Sequence, residues 1–127
     1  MIIGIGTDLV QISRLAGVME RHPEPFLRRT YTAVEQAAAR ERKNSLSFLA
    51  GRWAAKEAVS KALRTGIGVH CSFTDVEITR NSDGAPRISL SGDALRTSQA
   101  LGIDSWHVSI THEQDYACAF VIAERTE

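Results

Sequence analysis

"GRWAAKEAVSKAL", residues 51–63, is the stretch whose reading decides the fold. Wound at about 100° per residue, it puts Ala54, Ala55, Ala58, Val59, Ala62 and Leu63 on one broad side. That is the stripe of a helix lying on a core. Trp53, Glu57, Ser60, Lys61 and Arg64 gather on the other side. Glu57 and Lys61 stand four apart, so their side chains meet on one face. As an exposed ion pair they contribute only about 0.3–0.5 kcal/mol. Arg52 projects among Val59 and Leu63. Either its stem snorkels and its head stays in water, or its guanidinium meets a partner or an anion.

Outward from this helix the punctuation is clear. "KNS" precedes it and Gly66 follows, so the spacing predicts a long helix from Ser45 to Thr65. Thr32 and Glu35 have the spacing of a capping box, which predicts a shorter helix starting there. "HPEP" interrupts the chain at Pro23 and Pro25, after a helix over Ser13 to Glu20. "MIIGIG" reads as a first strand ending near Thr7 and Asp8. In the second half the period drops to two. "DVEITR" and "PRISLS" alternate around a tight turn at Asp83 and Gly84. "DALRTSQALG" is a short helix closed by Gly102, and "WHVSITH" and "YACAFVIAE" are two strands joined by "EQD". The last strand is apolar on both faces: Ala117, Ala119 and Val121 on one, Tyr116, Cys118, Phe120 and Ile122 on the other. Both faces need cover, from a helix of the same chain or from a partner subunit. This order predicts a single α+β domain over residues 1–127, a small, mainly antiparallel sheet packed against helices.

Composition narrows the function. The 127 residues carry 15 Lys plus Arg and 15 Asp plus Glu. A zero formal balance argues against general nucleic-acid binding. Two isolated cysteines, Cys71 and Cys118, suggest a reducing compartment with neither disulfide framework nor zinc site. "MIIGIGTDLV" has no basic lead-in and is too short for a span, so no signal peptide or membrane segment is expected and the cytoplasm is the expected setting. Arg14, Arg21, Arg28 and Arg29 crowd an early segment opposed only by Glu20 and Glu24. That is a solvated surface or a landing place for an acidic partner. Asp8, at the end of a buried-looking strand, is either a turn cap or a carboxylate that needs a charge or a metal. His107, Ser109 and Thr111 share one strand face, with His112 at the turn.

Taken together, these stretches resemble the holo-[acyl-carrier-protein] synthase family, the small bacterial 4′-phosphopantetheinyl transferases. "GIGTDLVQISR" resembles the family's opening G-x-D motif with an arginine on the first helix. "FLRRTYTAVE" resembles its F-x-x-R…T-x-x-E segment, and "FLAGRWAAKEAVSKAL" its signature W/F-x-x-K-E-A-x-x-K-A. "TGIG", "FTDVEI", "GAPRISL" and "HVSITHEQDYACAFVI" follow in family order across essentially the whole chain. Thr111 stands where many members have serine, and Trp53 where many have phenylalanine.

The resemblance implies transfer of 4′-phosphopantetheine from coenzyme A to a serine of an apo acyl carrier protein, or of a carrier domain within a larger synthase. Adenosine 3′,5′-bisphosphate leaves, and the reaction supports fatty acid biosynthesis. Asp8 and Glu57 match the family's Mg²⁺ ligands, with Mn²⁺ a second acceptable ion, and Lys61 matches its phosphate-binding lysine. Arg52 and His112 match positions at the nucleotide end, with Lys43, Asn44 and Thr111 as further coenzyme A contacts. Glu35 is either the capping residue already described or a group orienting a water for the serine proton, and a metal-bound water is another candidate. Arg14 matches a carrier-docking position, with Arg21 and Arg28 beside it. The family further implies a homotrimer whose active sites lie at subunit boundaries, a neighbouring chain completing the nucleotide pocket. A non-catalytic module that binds coenzyme A or a carrier is the alternative. A metal-dependent nuclease fits less well, because its E-x-K pair sits on a strand and its charge is basic. Ser109, His112 and Asp115 lack the nucleophile elbow of a serine hydrolase.

Overall fold

Gly4 and Gly6 bring the first strand against the long helix. In the computed structural model, which describes residues 1–126, a Cβ on Gly6 would overlap the carbonyl oxygen of Ala58, and one on Gly4 that of Ala62. Strand β1 (Ile2–Gln11) thus lies backbone to backbone on α4 (Ser45–Ala62). Side chains two apart share a strand face, so Asp8 and Val10 also face the helix. Gly6→Ala is expected to cost at least about 3 kcal/mol, because neither backbone can retreat. Circular dichroism melts should show a fall of roughly 10 °C or more.

The other elements run in the order α1 (Ile12–Arg21), α2 (Pro23–Thr30), α3 (Ala33–Arg40), then α4, β2 (Val76–Arg80), β3 (Pro86–Leu90), α5 (Gly92–Ala100), β4 (Ser105–His112) and β5 (Tyr116–Glu124). The strands form two antiparallel sheets, β1-β5-β4 and the hairpin β2-β3. The core is one cluster centred on α4, with Ala54, Ala55, Ala58, Val59 and Ala62 fully buried against Ala117, Ala119, Val121 and Ala123 of β5. Cys71 and Cys118 are both free, and burial pushes the Cys71 thiol up to about 11. Among the described residues no helix is long and apolar enough to cross a membrane.

Three boundaries differ from the sequence reading. β1 continues past Asp8 to Gln11, because its pairing with β5 runs on to Tyr116. Pro23 starts a helix as well as ending one, since proline is tolerated in a first turn. α4 stops at Ala62 rather than Thr65. Arg64 takes the left-handed conformation (φ 67°), and the amides of Thr65 and Gly66 both return to the Ser60 carbonyl.

The outer face of the three-stranded sheet is the notable surface. Ile5, Leu9, Phe120 and Ile122 project from it, with exposures of 68, 64, 56 and 38%. The inner face of β5 is covered by α4. Among the described residues nothing of the same chain covers the outer one.

Candidate active site

The packing of β1 on α4 brings three of the expected residues together. The Lys61 ammonium donates to Asp8 Oδ1 at 3.1 Å and to the Thr7 carbonyl at 3.0 Å. Lys61 therefore turns to the strand, and the ion pair with Glu57 that spacing alone suggests is not formed among the described residues. Asp8 Oδ2 is buried with no hydrogen-bond partner. Burial raises the pKa of Asp8 above the ordinary carboxylate value, although the hydrogen bond and charge of Lys61 pull it back. Glu57 is also raised, first by burial and then by the Asp8 charge, with Lys61 again opposing. Two repelling carboxylates, one with an orphaned buried oxygen, are a donor set that suits a divalent cation.

The strain has a measurable sign. A carboxyl whose folded pKa is raised holds its proton where the unfolded chain releases it. Stability is then lost as pH rises through the window from the ordinary carboxylate range up to the raised folded values. In EDTA at neutral pH, Glu57→Gln is therefore expected to melt a few degrees above the wild type. That gap should close in acid, below both pKa values. Mg²⁺ should raise the melting temperature of the wild type and leave the variant unmoved.

A second group of expected residues lines a cavity of about 440 Å³ on another side of α4. Arg52, Lys43, Asn44 and His112 meet there, together with Arg42 and Arg80, which sequence reading did not single out. Arg52 does not snorkel. Only 6% of it is exposed, its guanidinium lies over the Phe48 ring at 4.1 Å, and its Nε is buried without a partner. Burial and the charges of Arg80 and Arg42 lower its pKa to about 10. Asn44 caps α4 by accepting from the Ser47 amide at 3.1 Å, so the positive end of the helix dipole also opens at this cavity. Arg42 was within reach of the sequence, one position before Lys43. Arg80 was not, because only the hairpin fold carries it there.

Of the two readings of Glu35 that the sequence leaves open, the capping one is the one the structure shows. Glu35 is 1% exposed and its oxygens are all engaged. Oε1 accepts from the Thr32 amide at 2.9 Å and pairs with Lys56 at 2.7 Å, while Oε2 accepts from the Ile78 amide at 2.7 Å. Lys56 also donates to the carbonyls of Phe73 and Val76. This buried pair joins α3, α4 and β2, and it places the Glu35 carboxylate inside the core rather than at an open cleft. Thr111 points to the outer sheet face, in register with Cys118 and Leu9, so it does not enter the Arg52 cavity of its own chain.

Arg14 and Arg21 line a third region, a cavity of about 490 Å³ that also holds Asp8, Leu15, Val18 and Trp53. Arg28 is exposed on α2 and lies outside that lining. Trp53, stacked on Phe73 with centroids 5.8 Å apart, forms an aromatic wall of this cavity.

Arg52 and Lys61 are nine residues apart on α4, which turns them about 180° from each other. One chain thus presents its carboxylate–lysine cluster and its arginine cavity on opposite sides of one helix.

Comparison with known proteins places the chain by sequence and fold. The profile of the 4′-phosphopantetheinyl transferase superfamily matches residues 4–121. A holo-[acyl-carrier-protein] synthase of Hydrogenovibrio crunogenus is 47% identical over 124 residues, 98% of each chain. The crystal structure of the Neisseria meningitidis holo-[acyl-carrier-protein] synthase superposes with a TM-score of 0.92 at 33% identity, covering 98% of this chain and all of that one. The Helicobacter pylori synthase, solved in complex with coenzyme A, gives 0.84 at 35% identity over 94% and 99% of the two chains. With its fold and its motifs matched along nearly the whole length, the chain belongs to the 4′-phosphopantetheinyl transferase superfamily, among the holo-[acyl-carrier-protein] synthases.

Proposed function

We propose that this protein transfers 4′-phosphopantetheine from coenzyme A to a serine hydroxyl of an apo acyl carrier protein, releasing adenosine 3′,5′-bisphosphate. The observation that carries the reading is the buried, partnerless Asp8 Oδ2 beside Glu57 and Lys61. The serine oxygen forms a bond to the β-phosphorus, and the bond to the bridging pyrophosphate oxygen breaks. The electron pair of that bond leaves with the bisphosphate. Asp8 and Glu57 are the residues that would hold Mg²⁺. The ion, when bound, neutralises pyrophosphate charge and polarises its oxygens. Lys61, released from Asp8 when that carboxylate takes another partner, offers its ammonium to the transferring or the leaving oxygen. Its side chain is half exposed, so the move is sterically open.

The site is completed by a second copy of the chain. Arg52 and Lys61 face opposite ways on α4, and coenzyme A needs both ends held at once. The bare apolar face of β1, β5 and β4 supports a homotrimer, in which the arginine cavity of one protomer meets the carboxylate–lysine cluster of the next. The carrier protein, whose docking helix is acidic, lands on α1, where Arg14 and Arg21 flank the cavity that reaches Asp8. Two free thiols fit work in the cytoplasm.

The test is product release. Incubated with Mg²⁺ and coenzyme A, the protein should liberate adenosine 3′,5′-bisphosphate in proportion to added apo carrier, and none without it. Release that ignores the carrier would indicate a hydrolase. Binding of both partners with no release would leave only a binding module.

A further inference from the structure

Phe48 carries two cations on one ring. Arg52 lies over it at 4.1 Å from the centroid and Arg42 at 4.5 Å. Phe48 is buried near the start of α4, four residues before Arg52, so its ring is fixed by the core rather than by the arginines. Arg80 adds a third guanidinium to the same cavity wall, and no aspartate or glutamate lines that cavity among the described residues. These like charges repel, with the buried Glu35 offsetting part of the repulsion at Arg52, and the negative face of the aromatic ring offsets a further part. The half-exposed Arg42 would otherwise spread over many rotamers in water. With the ring in place, both guanidiniums are held against it before any ligand arrives. The orphaned Arg52 Nε shows that this arrangement is not satisfied from within the chain.

A phosphomonoester carries close to two negative charges at neutral pH, whereas the hydroxyl it replaces carries none. Guanidiniums in a cavity whose lining holds no carboxylate favour the first strongly and gain nothing from the second. We infer that Phe48 is a positioning residue that makes this cavity select a nucleotide bearing a free phosphomonoester over its unphosphorylated counterpart. Resting on the coenzyme A reading above, the inference identifies Phe48 as a residue that sets the preference for coenzyme A over 3′-dephospho-coenzyme A. It acts through Arg42 and Arg52 and touches no reacting atom.

The test is calorimetric binding of both compounds, in Mg²⁺, to the wild type and to variants shown to be folded by their melts. Wild type should prefer coenzyme A by at least about a hundredfold, the order expected when two charge-assisted contacts are lost together. Phe48→Leu should shrink that preference about tenfold, mainly by weakening coenzyme A. Phe48→Tyr, which keeps the ring, should retain it. Should the leucine variant not fold, Phe48→Met is read instead, since it is closer in volume and has no ring. Arg42→Gln should reproduce the loss without touching the core. A merely structural Phe48 would weaken both compounds alike and leave their ratio intact. Folded ring-less variants with the wild-type ratio would overturn the inference, as would a wild type that binds both compounds equally while still transferring phosphopantetheine. A wild type that binds neither would sink the coenzyme A reading itself.

Discussion

Glu57→Gln is expected to leave a folded protein whose transfer rate falls about a thousandfold. The amide is isosteric and removes a charge that the fold itself resists, so stability does not suffer. On the proposed reading, what is lost is one of two anionic oxygen donors for a divalent ion. Loss of one such electrostatic contact at a charged transition state costs about 10²–10³ in rate. Asp8→Asn should cost a comparable factor and should also loosen Lys61, whose ammonium bonds Asp8 Oδ1 at 3.1 Å. The double variant should be little worse than the poorer single, because two carboxylates sharing one ion would act as a unit and such effects are not additive. Steady-state rates over a Mg²⁺ titration check this. Full activity in either variant at moderate Mg²⁺ would mean that the ion, if required, is held elsewhere.

The second large effect is recovery of activity on mixing two inactive proteins. Arg52→Ala removes a buried cation from the arginine-lined cavity, and Lys61→Ala removes the ammonium from the carboxylate cluster. Each alone should lose about a hundredfold or more in kcat/KM. In the proposed ring of subunits each site would draw Lys61 from one chain and Arg52 from its neighbour. With random assembly after co-refolding, about one site in four pairs the two intact halves. The mixture should therefore regain about a quarter of wild-type activity. Sites contained within single chains would regain nothing. The same outcome bears on the bare sheet face, since a charge introduced there, as in Phe120→Glu, should dissociate the assembly and prevent recovery.

How legible this was in the sequence follows from what each feature depends on. The long helix was written locally in its alanine stripe, and the Thr32–Glu35 box was read correctly because capping is a contact between near neighbours. α4 ends ahead of the expected Thr65 because Arg64 takes a left-handed conformation two residues before Gly66, which is left-handed too. Nothing in local propensity marks an arginine for that role. The Glu57–Lys61 spacing was real but suggested the wrong partner. Asp8 competes for the lysine only after two glycines let β1 touch α4, and that approach is a tertiary fact. Glu35 shows the same limit. Its buried partner Lys56 and its bond to Ile78 come from elements far away in sequence, so a capping residue and a site residue looked alike. The outer face of β5 was visible as an apolar stripe from the start. Whether a helix or another chain covers it depended on where all five helices lie.

The most direct test of the whole account is the intact mass of the carrier. A cognate apo carrier protein incubated with this protein, coenzyme A and Mg²⁺ should gain the mass of one phosphopantetheine group, on its acceptor serine. The gain should vanish with EDTA, and with Glu57→Gln over the same incubation time. A carrier whose mass does not change, tested across the cognate candidates while coenzyme A remains bound, would contradict the transferase account.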